Sequence, residues 1–272
     1  QQLAVEDEGA LVVRFKDRDR PMLIRKSDGG FLYATTDLAA VRNRVVNEDA
    51  DRLIYVVDAR QRDHFRDIFE AAQLAGWGHT SDGHEVEMRH VPFGSVLGPD
   101  KKPLKTRSGE NVTLASLLQE AVDRGCEEVL RRSEDEGSPT HGMGSDELAS
   151  IGRAVGIGAV KYADLSSDLV RDYVFDMNRM IAFEGNTGPY LQYAHARICS
   201  ILGKAGVEEA VYEAAGFLFS EPAERSLALQ LLRYAETVAS ASIHLEPHRI
   251  CTFLYLSLIH ISEPTRRTPI SY

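Results

Sequence analysis

Hydrophobic residues recur with two different periods along the first hundred or so residues of this chain. Apolar runs at 22–24 and 53–57 predict strands, and the second is continuous enough to predict a strand buried on both faces. Helical spacing follows each run, first over about Thr36 to Val46. The second helix, which Gly76 ends, is predicted to turn inward Phe65, Ile68, Phe69, Ala72 and Leu74. This order of strands and helices predicts a parallel α/β sheet.

The second half of the chain has helical periodicity throughout. A polar, glycine-rich stretch from Ser133 to Asp146 predicts a loop or linker. Beyond it, strings such as "ELASIGRAVGIGAVKYADLS" carry apolar residues at helical spacing, and strand patterns disappear. The expected fold class is therefore α/β plus all-α, the second part being a helical domain or bundle. The predicted segments are 1–132, 133–188, 189–256 and 257–272.

The last of these segments, "SLIHISEPTRRTPISY" at 257–272, has no apolar period and contains two prolines. It is similar to the translated read-through of a sequencing-library adaptor. We therefore expect a non-native tail there and leave it out of the fold prediction.

Composition narrows the classes of function. The 272 residues are 43% hydrophobic and 26% charged, which is typical of a globular protein. A formal net charge of −10 argues against indiscriminate nucleic-acid binding, so a polyanion would be bound only at local cationic positions. No apolar run approaches the roughly 18 residues that span a bilayer, and the acidic N-terminal stretch is no signal peptide. Three separated cysteines favour a reducing, cytoplasmic setting.

The densest cationic stretch is "KKPLKTRSGE", Lys101 to Glu110, whose proline and glycine argue against a helix. It lacks the Gly-Lys-Ser/Thr ending of a P-loop. Two interpretations stay open for it. It is either a solvated surface loop, or a loop whose cations bind phosphates as negative charge develops in a transition state.

Two further groups of polar residues could bind a ligand. Tyr33 and Asp37 would share one face of the first helix, and a carboxylate beside a phenol suits a guanidinium or ammonium ion. Gln61 and His64 follow a predicted strand directly, where ligands bind in open α/β sheets. The alternatives are a packed tyrosine with a helix-start acid, and a surface glutamine with a half-buried histidine.

Taken in order, several strings resemble the arginyl-tRNA synthetases, a family of class I aminoacyl-tRNA synthetases. The resemblance spans about Pro21 to Leu256. It is carried by "GFLYATTDLAAVRNR", "YVVDARQRDHF", "HVPFGSV", "KPLKTRSGENVTL", "GIGAVKYADLS" and "FEGNTGPYLQYAHARI". It implies the C-terminal half of a Rossmann-type catalytic domain over 1–132, connecting helices over 133–188, and the start of a helical anticodon-binding domain over 189–256.

The resemblance also implies an activity, which is ATP-dependent ligation of arginine to its tRNA through arginyl-adenylate. ATP would be a substrate, Mg²⁺ would accompany the nucleotide, and the protein would have no metal site of its own. The implied arginine-binding residues are Tyr33, Asp37 and Gln61, and the implied adenosine-binding residues are His64 and Phe65.

The family's signature loop, usually Lys-Met-Ser-Lys-Ser, corresponds here to 102–109. The loop has no Met, and Thr106 stands at the position of the second lysine. The candidates for the cation that contacts the phosphates are therefore Lys102, Lys105 and Arg107.

The implied tRNA-binding residues are Tyr190, Tyr193 and Arg197, which share one helix face. Aromatic and arginine side chains in such an arrangement suit stacking on unpaired bases. They equally suit packing against another helix.

Class I synthetases need a His-x-Gly-His element, and none of the nine histidines forms it. We therefore expect a fragment that lacks the N-terminal half, aggregates readily through unpaired strand edges, and makes no adenylate alone. The complete enzyme is expected to be monomeric. Two other functions remain open: an adenylating ligase of the same half-fold with another substrate, and a non-catalytic tRNA- or RNA-binding module.

Overall fold

The computed structural model describes residues 3–98, 100–102, 113–206 and 218–262. The chain divides into two compact units, Gln1–Gly94 and Ser95–Tyr272. Lys105 and Arg107 lie outside the described residues, as do 207–217 and 263–272.

The first unit opens with a three-stranded antiparallel sheet in the order β1-β2-β3. Its strands are β1 (Ala4–Asp7), β2 (Ala10–Val13) and β3 (Met22–Arg25). The two residues between β1 and β2 have φ values of 47° and 79°, as a tight two-residue hairpin turn requires, and the second of them is a glycine. Of this sheet, only β3 was predicted: β1 carries two acids among its four residues, and the short apolar run of β2 was not assigned.

A parallel pair of strands follows, as predicted, but β3, the first strand of the predicted parallel order, lies in the antiparallel sheet instead. Strand β4 (Arg52–Asp58) pairs with β5 (Glu87–Phe93). Helix α1 (Tyr33–Arg42), extended by a π-helical turn (Asn43–Asn47), precedes β4, and α2 (Arg62–Leu74) connects the two strands. Helix α1 thus begins three residues earlier than predicted.

Two burial predictions for this region were wrong. Strand β4 is not buried on both faces: Leu53 is 5% exposed, whereas Ile54 and Val56 are 42% and 58% exposed. Leu53 and Tyr55 pack in one core cluster with Ile68 of α2, and the alternate side chains face away from that cluster. Leu74, at the last turn of α2, is exposed because the inward face of the helix ends at Ala71 and Ala72.

The core of the first unit joins both sheets to the two helices. Its buried members are Val13, Phe15, Met22, Leu38, Val41, Val45, Leu53, Ile68, Ala71, Ala72 and Val86. One buried carboxylate, Asp67, lies on the same helix as Ile68 and pairs with Arg18 and Arg20 at 3.0 and 2.7 Å. The fold therefore places an ion cluster next to its apolar core.

The second unit is mainly helical over its described part. Its helices are α3 (Leu114–Ser133), α4 (Ser145–Ser166), α5 (Met177–Ile181), α6 (Gly188–Ala205), α7 (Pro222–Leu232), α8 (Tyr234–His244) and α9 (His248–Ser262). The predicted loop between α3 and α4 is confirmed. A two-residue parallel pairing of β6 (Val96–Leu97) with β7 (Tyr173–Val174) was not predicted, because two residues are too few to show a period.

Helices α3 and α4 cross at glycines. A Cβ atom built at Gly125 would lie 2.3 Å from the carbonyl oxygen of Gly152, and one at Gly156 would lie 2.1 Å from that of Ala121. Backbones this close have no room for any side chain at these positions. The glycines of "GRAVGIGAV" therefore have a packing role, which periodicity alone does not reveal.

Helix α9 continues past the position where the apolar pattern ended. It runs to Ser262, and Ser257 and Leu258 are each 7% exposed. The expected non-native origin of 257–272 stays a prediction, as do the segment boundaries at 132, 188 and 256.

Candidate functional site

The candidate site centres on a contact between the two helices of the first unit. His64, in the first turn of α2, lies with Nε2 2.6 Å from Oδ2 of Asp37 on α1. Their side chains are 29% and 36% exposed, so each is partly shielded and still reaches solvent. Asp58 ends β4 and Gln61 precedes α2, which places His64 just beyond the carboxyl end of a parallel strand. Sequence reasoning selected both residues of this pair but did not predict the bond between them.

Tyr33 and Gln61 flank the pair. Tyr33 is the first residue of α1, one turn before Asp37, and is 87% exposed. Gln61 is also exposed and makes no side-chain cap on α2, although it stands at the capping position. Tyr33 is therefore not the packed tyrosine of the alternative interpretation. The side chains of Tyr33 and Gln61 both have solvent access.

An aromatic cluster forms the floor beneath His64. Phe65 is 3% exposed, and its ring lies 4.8 Å from that of Tyr55 and 5.4 Å from that of His90, with which it stacks at 23°. Phe69 lies 5.8 Å from Phe65. His64 contacts Phe65 edge to face at 5.1 Å. Phe65 is thus a core residue in this structure, and its nucleotide-binding role stays a prediction.

A second layer of polar groups supports this floor. Arg44 donates a hydrogen bond from Nη1 to the hydroxyl of Tyr55 at 2.7 Å, and its guanidinium lies over the tyrosine ring. Burial raises the pKa of Tyr55, Arg44 opposes that shift, and the negative charge of Asp37 adds to it. The phenol therefore stays protonated and fixed in place behind the candidate carboxylate.

Asp58 closes the end of β4 through bonds to Arg60. Its carboxylate accepts from the side chain of Arg60 at 2.9 and 2.7 Å and from the backbone N–H of Arg60 at 2.8 Å. The side-chain bond is the larger cause, and together they lower the pKa of Asp58 to about 2. The carboxylate thus fixes the turn that leads to Gln61 and His64.

We expect Arg60→Ala to raise the pKa of Asp58 only part of the way towards its ordinary value, because the backbone hydrogen bond remains. The pKa of the folded state is depressed, so the stabilisation is present above the ordinary pKa of an aspartate. It is lost as the pH falls through about 2. An NMR titration of the Asp58 carboxyl carbon measures the shift, and an unchanged midpoint in the variant would contradict the assignment to Arg60.

The cationic stretch is described only at its start, in the second unit. Lys102 is exposed, its N–H donates to Asp100, and its carbonyl accepts from Gly98 in a tight turn. Lys101 within that turn has a φ of 59°, in the left-handed region. Lys102 is therefore presented to solvent, and its role in phosphate binding stays a prediction.

Helix α6 carries the predicted tRNA-binding residues. Tyr190 is half-buried, whereas Tyr193 and Arg197 are exposed. Thr187 caps the helix, accepting from the N–H of Tyr190, and donates to the carbonyl of Ala182 at 2.6 Å. The string "GNTGPYLQYA" thus starts α6, and part of its aromatic face remains accessible.

A cleft of about 510 Å³ opens beside Tyr193 between α3, α4 and α6. Arg132 lies over the ring of Phe183 at 4.1 Å on its wall, and Arg131 also lines it. Arginine and aromatic side chains are the types that hold unpaired bases. Sequence reasoning missed the contact of Arg132 with Phe183, because the two residues are far apart in the chain, although Phe183 begins the string "FEGNTGPYLQYAHARI".

Two features are absent from the described residues. No group of three or more His, Cys, Asp or Glu side chains there is arranged to hold a metal ion. Among the helices of that same part of the chain, none combines the length and apolarity needed to cross a bilayer.

Comparisons with known proteins agree with this architecture. The family model described as tRNA synthetases class I (R), catalytic domain, matches residues 1–177, and the DALR anticodon binding domain matches 191–259. The arginine–tRNA ligase of Frankia casuarinae is 48% identical over 259 residues, and that of Thermobifida fusca is 49% identical over 260. Each alignment covers 93% of this chain, but the chain spans only 42% and 43% of those relatives.

Solved structures show the same fold. The arginyl-tRNA synthetase of Plasmodium falciparum superposes with a TM-score of 0.78 over 98% of this chain and 44% of its own, at 24% identity. That of Thermus thermophilus gives 0.74 over 97% of this chain and 47% of its own, also at 24%.

The fold is thus that of a class I aminoacyl-tRNA synthetase catalytic domain followed by a helical anticodon-binding domain, which confirms the predicted fold class. Within that class, the chain belongs to the arginyl-tRNA synthetase family.

Proposed function

We propose that this chain contributes the arginine pocket and part of the tRNA-binding surface of an arginine–tRNA ligase. One observation supports the proposal: in a chain of the arginyl family, the Asp37 carboxylate on α1 is held by His64, which follows the carboxyl end of β4, and it stays partly exposed. The reaction would join arginine to its tRNA through arginyl-adenylate, with ATP as the second substrate. The setting would be cytoplasmic, consistent with the free thiols of Cys126, Cys199 and Cys251.

Asp37 would receive the guanidinium of arginine. A planar guanidinium presents parallel N–H donors, which suit the two oxygens of a carboxylate. Tyr33, one turn away, and Gln61, just before α2, would contact other polar groups of the amino acid from their exposed positions. The partial exposure of the pair lets the substrate enter while limiting the competition from water.

The chemistry would need positioning and charge stabilisation rather than a covalent enzyme intermediate. The carboxylate of arginine attacks the α-phosphorus of ATP, which releases pyrophosphate. A terminal ribose hydroxyl of tRNA then attacks the carbonyl of arginyl-adenylate, which forms the ester and releases AMP. Lys102 would contribute positive charge near the phosphates, together with Lys105 and Arg107. Phosphate oxygens are the expected ligands of Mg²⁺.

The tRNA would contact the helical part of the second unit. Tyr190, Tyr193 and Arg197 on α6 are the proposed contacts, and Tyr193 and Arg197 are the exposed members. The adjoining cleft offers Arg132 over Phe183 as a further surface for an unpaired base. We propose that the complete ligase acts as a monomer.

We expect Asp37→Asn to weaken arginine binding about 30-fold, because a hydrogen bond to a charged partner contributes about 2 kcal/mol. Isothermal titration of arginine into the chain measures the loss. Asp63→Asn, an exposed carboxylate in the first turn of α2, is the matched control and should bind arginine normally. Wild-type affinity in Asp37→Asn would refute the proposed pocket.

The same titration separates the two alternative functions. An adenylating ligase with another substrate would bind lysine or a neutral amino acid as well as it binds arginine. A non-catalytic RNA-binding module would bind tRNA with the same affinity after Asp37→Ala and would not bind arginine. Discrimination in favour of the guanidinium is the result that supports arginine ligation.

We also expect the chain alone to form no arginyl-adenylate, because no His-x-Gly-His element occurs in its 272 residues. ATP–pyrophosphate exchange in the presence of arginine and tRNA tests this expectation. A complete arginine–tRNA ligase assayed in parallel is the positive control. Exchange by the chain at a comparable rate would show that the adenylation chemistry does not need that element.

A further inference from the structure

We infer that His64 is a positioning residue for the guanidinium-binding carboxylate of Asp37, and that it acts on the arginine side of the site rather than on the nucleotide. This inference rests on the proposed function and assigns a further residue to the proposed arginine pocket. It differs from the role in adenosine binding that the family resemblance implied for His64.

The geometry of the contact is the first argument. Nε2 of His64 lies 2.6 Å from Oδ2 of Asp37, and the bond joins two helices from positions 27 residues apart. A pair in the core would be structural, and a fully exposed pair would add little. This pair is about one-third exposed on both sides, so it lines a surface that a ligand can reach.

The chemistry of guanidinium recognition is the second argument. A short carboxylate side chain rotates freely unless one oxygen is held, and a fork of N–H donors needs the carboxylate plane in one orientation. His64 engages one lone pair of Oδ2 of Asp37, so both oxygens of the carboxylate can still accept from a guanidinium. An N–H on Nε2 of His64 can donate to the Asp37 carboxylate, which accepts only.

The support of the imidazole is the third argument. The edge of the His64 ring rests against Phe65, which is 3% exposed and stacks on His90. The imidazole is therefore held from behind while Nε2 faces Asp37. To contact a nucleotide through Nε2, His64 would have to release the carboxylate.

Three variants of the chain test the inference by titration with arginine and, separately, with ATP. We expect His64→Ala to weaken arginine binding about tenfold and to leave ATP binding within about twofold. His64→Gln, whose amide N–H can reach the position of Nε2, should recover most of the arginine affinity. Asp37→Asn reports on the pocket itself.

A spectroscopic measurement needs no ligand. In the unliganded chain, Asp37→Asn should shift the imidazole ¹⁵N resonances of His64, because the amide that replaces the carboxylate is not a charged acceptor. Asp63→Asn should leave those resonances in place.

The outcomes separate the two levels of the argument. If the wild-type chain fails to bind arginine, or Asp37→Asn binds it normally, the proposed pocket is wrong and this inference falls with it. If Asp37→Asn loses arginine while His64→Ala retains it, the pocket stands and the positioning role is refuted. Loss of ATP affinity in His64→Ala with arginine binding intact would instead support a nucleotide-binding role for His64.

Discussion

Asp67→Asn is expected to lower the free energy of unfolding by about 3 kcal/mol. The Asp67 side chain is 5% exposed and pairs with Arg18, which is 10% exposed, at 3.0 Å and with Arg20 at 2.7 Å. Removing one member of a buried ion pair leaves its partner charged and desolvated, which typically costs about 3–5 kcal/mol. Arg18 retains Glu70 at 2.5 Å and Asp17 at 2.8 Å, so the lower end of that range applies.

Urea denaturation followed by fluorescence measures this effect in the first unit. The single tryptophan, Trp77, packs against the core of that unit and reports its unfolding. Asp63→Asn is the control, because Asp63 lies on the same helix at the exposed surface and should change stability by less than about 0.5 kcal/mol. Equal stability of Asp67→Asn and wild type would mean that the ion pairs of Asp67 contribute nothing to the free energy of unfolding.

Replacing Arg18 together with Asp67 distinguishes a charge effect from a packing effect. We expect Arg18→Met with Asp67→Leu to be more stable than Asp67→Asn, since no buried charge is then left without its partner. A double variant that is less stable than the single one would show that the loss comes from the shape of the side chains.

Gly156→Ala is expected to lower the free energy of unfolding by about 3 kcal/mol, the upper end of the usual range for overpacking. The new methyl group would lie 2.1 Å from the carbonyl oxygen of Ala121 and 2.8 Å from the Cα atom of Val122. Both are backbone atoms of α3, so relief requires the two helices to move apart. Separation would also disturb the close contact of Gly125 with Gly152.

The matched control is the same substitution on a free surface. Gly203 lies in α6 with no atom within 4 Å of the position of a Cβ. Gly203→Ala should therefore stabilise the helix by about 0.5–1 kcal/mol, because alanine loses less conformational freedom on folding. Thermal unfolding followed by circular dichroism compares the two variants. If both substitutions lowered the midpoint temperature of unfolding, or both raised it, the packing explanation would be contradicted.

The amino-acid pattern predicted the order of elements well where periodicity is long. Helix α4 and the loop before it follow from a helical period that a dozen residues display, and the alternation of strands and helices predicted the parallel sheet to which β4 belongs. Two short strands were not predicted: β1 has two acids among its four residues, and the apolar run of β2 was not assigned although β3, of the same length, was. Burial of β4 on both faces was wrong, because an apolar run does not say how many layers cover it.

Some features of the candidate site also followed from sequence, and others required the tertiary structure. Residue types and their order selected Asp37, His64, Tyr33 and Gln61, since a carboxylate near a phenol and a polar turn after a strand are local features. Only the tertiary structure joins His64 to Asp37 at 2.6 Å. The inward position of Phe65 followed from helical spacing and is confirmed by its 3% exposure. The buried Asp67 was indistinguishable in sequence from any exposed helical acid.

The sequence by itself therefore determined the fold class and the family, and it selected the polar residues of the candidate site, because those depend on local periodicity and on residue order. Tertiary structure alone decided which of these residues touch, which charges are buried and which glycines let helices meet. Such properties depend on distances between segments far apart in the chain, and one-dimensional spacing carries no information about them.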